Sequence, residues 1–227
     1  MSTVNIVLIA RDRPALTRQT LQTLCDHTDP KMYNCTIVDD GSQPETEHAI
    51  SFYSRLPNFV SLRFGKPKGI IGLAKNMGAA FSEKFWGRGE FLYFSDNDIY
   101  FTPGWITQLR PVFNVKVIGG QRHPFHGINH TSPYLFGCGF IEITDAVAGY
   151  SQFMEWSTWD KYGPFDAHTV GVCKSEDFAF CQKIVKDGGM VGYIDPPAVY
   201  HTGLTNSEGK AAIGSEQFQR VEGVLYQ

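Results

Sequence analysis

The feature that most constrains this chain is a set of short apolar runs that alternate with helix-length segments. Residues 4–10 (VNIVLIA), Cys35-Thr36-Ile37-Val38, residues 59–64 and Phe91-Leu92-Tyr93-Phe94 are each short enough to be a buried strand. Helix signals lie between them. Pro14 suits a first helical turn, and leucines at 16, 21 and 24 follow in the stretch to about His27. Pro44 opens a second helix, and residues 70–84 read as a third, amphipathic one. Such alternation predicts βαβ units around a mixed, mainly parallel sheet flanked by helices, an α/β fold of Rossmann-like kind. Right-handed crossovers then bring the carboxyl ends of the strands to one edge, where open α/β sheets bind ligands.

That edge is acidic. The second run ends in Asp39-Asp40-Gly41-Ser42 and the fourth in Ser95-Asp96-Asn97-Asp98. Residues i and i+2 of an extended segment point the same way, so Asp96 and Asp98 converge just past the strand. Two hard oxygen donors at one point suit Mg²⁺ or Mn²⁺, and such a cation in turn suits a diphosphate. The same residues also make an ordinary Asp/Asn turn, and this stretch alone leaves both readings open. There is no GxGxxG and no Walker lysine loop. A nucleotide site here rests on carboxylates and a metal instead of a glycine cradle.

Size and charge bound the rest. The chain has 227 residues, 42% of them hydrophobic, which fits one large domain with a substantial core. A net charge of −3 gives no electrostatic case for nucleic acid or an anionic membrane. Basic residues group near Arg11, Arg13 and Arg18 and near Lys66, Lys68 and Lys75, as phosphate contacts or as solvated faces. Five cysteines, odd in number and without a CxxC, read as free thiols in a reducing compartment. Neither a signal segment nor a bilayer-length apolar run is present, so the expectation is a soluble, cytoplasmic protein.

The second half has a different texture. A helix is expected near 103–113, then a strand at 115–120 and a histidine-rich stretch with His123, His126 and His130. The histidine spacing i, i+3, i+7 fits one helix face, but Pro124 and Gly127 favour a loop, either acceptor-side or plain surface. Residues 134–143 read as a strand broken by Gly137 and Gly139. Trp156 and Trp159 suit sugar stacking or core packing equally. Ser175-Glu176-Asp177 opens a helix to about Lys186, and short strands precede His201. The expected plan is one domain over 1–203, with a nucleotide-binding half at 1–100 and an acceptor-binding half at 101–203. Residues 204–227 read as a flap or tail.

In order from Arg13 to His201, these stretches resemble the GT-A fold glycosyltransferases, most closely glycosyltransferase family 2. Arg13-Pro14 resembles the family's NRP, and Val38-Asp39-Asp40-Gly41-Ser42 its VDDGS. Gly72-Leu73-Ala74-Lys75-Asn76-Met77-Gly78 is similar to GxxxARNxG, and Asp96-Asn97-Asp98 to the DxD motif. Gly163-Pro164-Phe165-Asp166 resembles GGFDE, Glu176-Asp177 the ED motif and Tyr200-His201 the late yH. Two departures stand out: Lys75 replaces arginine and loses its bidentate fork, and Ala167 stands where the motif has glutamate. The chain is also short for the family and lacks the membrane helices of its processive synthases.

The resemblance implies a metal-dependent transferase that moves one sugar from a nucleotide-diphosphate donor, a UDP-sugar, to an acceptor hydroxyl. It implies a nucleotide site of Ala10, Arg11, Arg13, Asp39, Gly72, Lys75, Asp96 and Asn97. Asp39 would accept from the base, Asp96 would face the ribose and Lys75 would touch phosphate or ribose; taken alone, Lys75 reads as an exposed helix lysine. A Mn²⁺ or Mg²⁺ ion would sit on Asp98, with Asp96 and His201 beside it. Asp177 is the implied base of an inverting transfer, with Glu176 as the fallback. Trp156, Trp159, His123 and His126 are the acceptor-side candidates. The acceptor would be a glycan, a lipid carrier, a protein or a small molecule. Three alternatives stay open: a retaining transferase with the same donor site, a phage-type DNA-base glycosyltransferase, and a catalytically degenerate nucleotide- or sugar-binding module.

Overall fold

In the computed structural model, residues 4–110, 114–122, 128–133, 140–168 and 176–203 are described. β1 (Val4–Ala10) is buried along its whole length. Ile6, Leu8 and Ala10 join one hydrophobic cluster, while Val7 and Ile9 join another. An uninterrupted apolar run is what a strand covered on both faces requires. Parallel to it on one side lie β2 (Tyr33–Asp39) and then β3 (Phe59–Arg63); on the other side lies β4 (Phe91–Asp96). The connecting helices are α1 (Pro14–His27), α2 (Pro44–Tyr53) and α3 (Ile71–Trp86). Pro14 and Pro44 occupy first-turn positions, where a missing N–H costs nothing.

Past β4 come β5 (Ile99–Phe101), α4 (Trp105–Gln108), β6 (Val115–Gly119), β7 (His130–Pro133), β8 (Phe140–Thr144) and β9 (Ser151–Glu155). α5 (Trp156–Tyr162), α6 (Glu176–Lys186), β10 (Met190–Asp195) and β11 (Val199–His201) complete the described chain. The large sheet has nine strands in the order β3-β2-β1-β4-β9-β6-β10-β8-β7. Only β9 and β8 run against the others, so the sheet is mixed and mainly parallel in direction. β5 and β11 pair separately as a two-stranded antiparallel sheet.

One core lies between the sheet and the α1 side, with Tyr93, Phe101, Trp105 and Phe153 in contact. The other lies under α3, α5 and α6 and is built around Phe94, Phe165 and Phe180. α3 packs hard on the sheet at Gly78, where a β-carbon would come within 2.3 Å of Val7 Cγ1 and 2.8 Å of Val38 Cγ2.

One expectation is corrected. The helix expected at 103–113 is a single turn, Trp105–Gln108, with Gly104 left-handed ahead of it and Leu109 already out of it. Of the strand expected at 134–143, residues 140–143 are strand, in β8, and 134–139 lie outside the described residues; His130 belongs to a separate strand, β7. The tail at 204–227 lies outside the described residues.

Candidate active site

β1 ends between two carboxylates, since its register sets Ala10 opposite Asp39 on β2 and Ile9 opposite Asp96 on β4. The turn that follows is strained. Asp12 and Arg13 both have positive φ, 53° and 58°, which non-glycine residues rarely adopt. Neighbouring turns hold it there. Asp12 N–H donates to Ser42 Oγ at 3.0 Å, and Asp12 Oδ1 accepts from Gln43 N–H at 2.8 Å. Asn97 Nδ2 donates to Asp12 O at 3.0 Å and to Thr17 Oγ1 at 2.7 Å. The outcome of this turn is an ion pair between Arg13 and Asp98.

Asp39 is buried at the end of β2. Its Oδ1 accepts from Ser42 N–H at 2.8 Å, and its Oδ2 pairs with Arg63 at the end of β3. Asp40 turns the other way and takes the N–H groups of Lys68 (2.7 Å) and Gly69 (2.9 Å), with Arg11 3.8 Å off. The VDDGS stretch thus anchors two loops and leaves Asp39 beside the end of β1.

Asp98 is only 2% exposed. β11 delivers its second cation: His201 pairs in register with Ile99, and His201 Nε2 stands 3.2 Å from Asp98 Oδ2. Thr202 N–H and its hydroxyl both donate to Asp98 O, at 2.7 and 2.9 Å. Gly203 lies so close that a β-carbon there would be 2.2 Å from Asp98 Oδ2. Burial works to raise the Asp98 pKa, but the charges of His201 and Arg13 outweigh it and hold the carboxyl below its ordinary value. For Asp96, burial and then the Asp98 charge push the carboxyl up to about 6. Burial works against a charged His201, yet Asp98 raises its pKa overall. The His201 ring stacks on Tyr150 with centroids 4.6 Å apart, and its main-chain N–H donates to Gln121 Oε1 at 2.6 Å.

These residues fit a hard divalent cation. Asp98 Oδ1 is buried and has no hydrogen-bond partner, an oxygen that a cation would satisfy. Among the described residues, no three His, Cys, Asp or Glu side chains form a ready-made ligand group. Mg²⁺-like ions are commonly held by one or two carboxylates plus substrate phosphates, and Asp98 would supply such a carboxylate, with His201 beside it.

A second cluster sits at the start of α6. Lys75 of α3 is completely buried, against the reading of an exposed helix lysine, and its Nζ is 2.8 Å from Glu176 Oε1. The ammonium also lies over the Phe165 ring, 4.8 Å from its centroid. Asp177 Oδ2 accepts from Gly149 N–H at 2.7 Å, and its Oδ1 from Phe178 N–H at 2.7 Å. Next along α3, the Asn76 amide exchanges two 2.9 Å hydrogen bonds with the Phe165 main chain. Burial lowers the Lys75 pKa, but the charges of Glu176, Asp96 and Asp177 outweigh it and keep the ammonium.

The other expected residues serve as packing or main-chain contacts. Ala10 is buried and offers its carbonyl to Asp40 N–H. Gly72 packs on the Asp166 main chain, where a β-carbon would meet the carbonyl at 2.2 Å. Trp156 is a core residue at the opposite edge of the sheet: it follows Glu155, which pairs with the first residue of β4, and its Nε1 donates to Asn5 Oδ1. The Trp159 ring packs among Phe94, Phe165 and Phe180. Core packing, the second of the two readings of these tryptophans, is the observed one. His123 and His126 lie outside the described residues. Sequence reasoning missed Arg63, Tyr150, Gly149 and Gly203. Arg63 ends a strand on the ligand edge and was findable by that rule; the others are assembled by tertiary contacts alone.

The profile of glycosyl transferase family 2 matches residues 5–168. No curated protein matches significantly. Solved structures share the fold. TarS 1-349 from S. aureus, in complex with UDP-GlcNAc, superposes with a TM-score of 0.64 at 16% identity, covering 98% of this chain and 65% of that one. The mannosyltransferase PcManGT from Pyrobaculum calidifontis, in complex with GDP-Man and Mn²⁺, gives 0.65 at 13% identity, covering 99% and 62%. GalNAc-T7 with UDP, GalNAc and Mn²⁺ gives 0.71 at 15% identity, covering 99% and 48%. The chain therefore spans less than two thirds of the length of each.

Proposed function

The chain belongs to glycosyl transferase family 2, and from that membership and the carboxyl-edge geometry we propose that it transfers a single sugar from a nucleoside-diphosphate sugar to an acceptor hydroxyl. The observation that carries this reading is the buried Asp98, with His201 against one oxygen and no partner on the other. Asp98 and His201 would hold a divalent cation, Mn²⁺ or Mg²⁺. When bound, that ion neutralises charge developing on the leaving diphosphate. Asp39 and Asp96, on either side of the end of β1, bind the nucleoside, with the base toward Asp39 and the ribose toward Asp96. The UDP-GlcNAc and GDP-Man of two similar structures, and the UDP and GalNAc of the third, support this donor class, and the uridine nucleotide in two of the three supports a uridine donor.

Asp177 is the base. The acceptor oxygen attacks the anomeric carbon from the face opposite the diphosphate. The bond from that carbon to the diphosphate oxygen breaks, and its electron pair leaves with the nucleoside diphosphate. The acceptor proton passes to Asp177, whose carboxylate is fixed by the Gly149 and Phe178 N–H groups. One inversion at the anomeric carbon follows.

A thermal-shift panel tests the donor site: UDP and GDP, each with Mn²⁺, Mg²⁺ or chelator. Saturation at a hundredfold over Kd predicts a rise of about 5–10 °C for a chain of this size, lost on chelation and in Asp98→Ala. A folded, metal-supplied protein that answers to no nucleotide would remove the donor site. The anomer of the product, read by NMR, tests Asp177; retained configuration would take the base role from it.

A further inference from the structure

We infer that Lys75 is a positioning residue for the catalytic carboxylate and not a ligand of the donor. The inference rests on Asp177 being the base. Three groups from two parts of the chain, α3 and the start of α6, converge over Gly149. A β-carbon on that glycine would stand 2.5 Å from Lys75 Nζ, 3.1 Å from Glu176 Oε1 and 3.3 Å from Asp177 Oδ2. Only a residue without a side chain leaves room for the cluster, and its N–H is spent on Asp177. Lys75 has no exposed surface with which to meet a phosphate. Its charge faces Glu176 at 2.8 Å and the Phe165 ring.

Glu176 opens α6 and Asp177 follows it in the first turn. Holding Glu176 therefore fixes the backbone that carries Asp177. It also neutralises the one other carboxylate in that turn, which leaves Asp177 as the group to take a proton. Lysine suits this task where the family motif has arginine. A compact point charge fits over a half-buried glycine, and no planar fork is needed to hold a single carboxylate oxygen. α3 thus holds both the 163–166 loop, through Asn76, and the start of α6, through Lys75.

The test compares Lys75→Met, Lys75→Arg and Asp177→Asn. Two quantities are measured: affinity for UDP with Mn²⁺ by calorimetry, and the rate of UDP release from UDP-N-acetylglucosamine and UDP-glucose. Lys75→Met should keep UDP affinity within about threefold and lose on the order of 100-fold in kcat, the scale of an angstrom of misplacement. Adding Asp177→Asn to it should cost little more, because residues that act as a unit are not additive. Lys75→Arg should recover part of the rate. If Lys75→Met does not fold, Lys75→Met with Glu176→Gln removes the stranded charge, and the same two quantities are read there. A tenfold loss of UDP affinity with kcat unchanged would make Lys75 a donor ligand and overturn the inference. Full activity in Lys75→Met beside an inactive Asp177→Asn would overturn it alone. Full activity in Asp177→Asn would overturn the base assignment as well.

Discussion

Asp39 is a buried carboxylate whose two oxygens are both engaged within the chain. One oxygen takes Ser42 N–H and the other takes Arg63, so its plane is fixed before any ligand arrives. Arg63 is itself steadied by the Ser42 carbonyl at 3.0 Å and by Glu47 at 3.3 Å. Arg63→Ala leaves the carboxylate half-partnered and should cost about 1–3 kcal/mol by urea denaturation, together with weaker nucleotide binding. A change within noise would mean that Ser42 alone orients Asp39. The acidic residues of this site were legible from their spacing at strand ends, because period-two geometry needs no tertiary knowledge. Arg63 ends a strand on the same edge and was open to the same rule, whereas Gly149 looks like any loop glycine until the groups that crowd it are known.

Among the elements, β1 to β4 and α1 to α3 were readable because local and global preferences agree. The runs of β1, β2 and β4 are buried on both faces, and proline marks two of the helix starts. β9 was not. Its Ser151 and Gln152 are buried polar residues that a pattern reading places in a loop, and only pairing with β4 and β6 makes them strand. Gln152 Nε2 finds the Val147 carbonyl at 3.0 Å, a partner invisible from sequence. α3 offers a prediction whose sign is informative. Gly→Ala in an exposed helix interior stabilises by roughly 1 kcal/mol. At Gly78 the added methyl would lie 2.3 Å from Val7 Cγ1, so Gly78→Ala should instead destabilise by about 1–3 kcal/mol in the same denaturation assay. A stabilised Gly78→Ala protein would show that α3 can lift from the sheet at no cost.

Across the whole molecule the two cores share one sheet and should open together. Cys35 lies in one and Cys181 in the other. Burial raises both thiols, Cys35 well above its ordinary value and Cys181 to about 12. Both should resist alkylation in the native state and label with one denaturant midpoint when mapped by mass spectrometry, while the half-buried Cys25 reacts first of these three. Labelling of Cys181 at lower denaturant would show that the α6 side opens independently. The two-stranded sheet of β5 and β11 lies outside this nine-stranded frame, yet it is what sets His201 against Asp98. Every strand of the large sheet lies at or before Asp195, so the frame that carries Asp98 is complete in the chain before His201 is reached. The Asp98–His201 pair is thus a late addition to a finished scaffold, and truncating β11 should remove it while leaving the nine-stranded sheet its full set of strands.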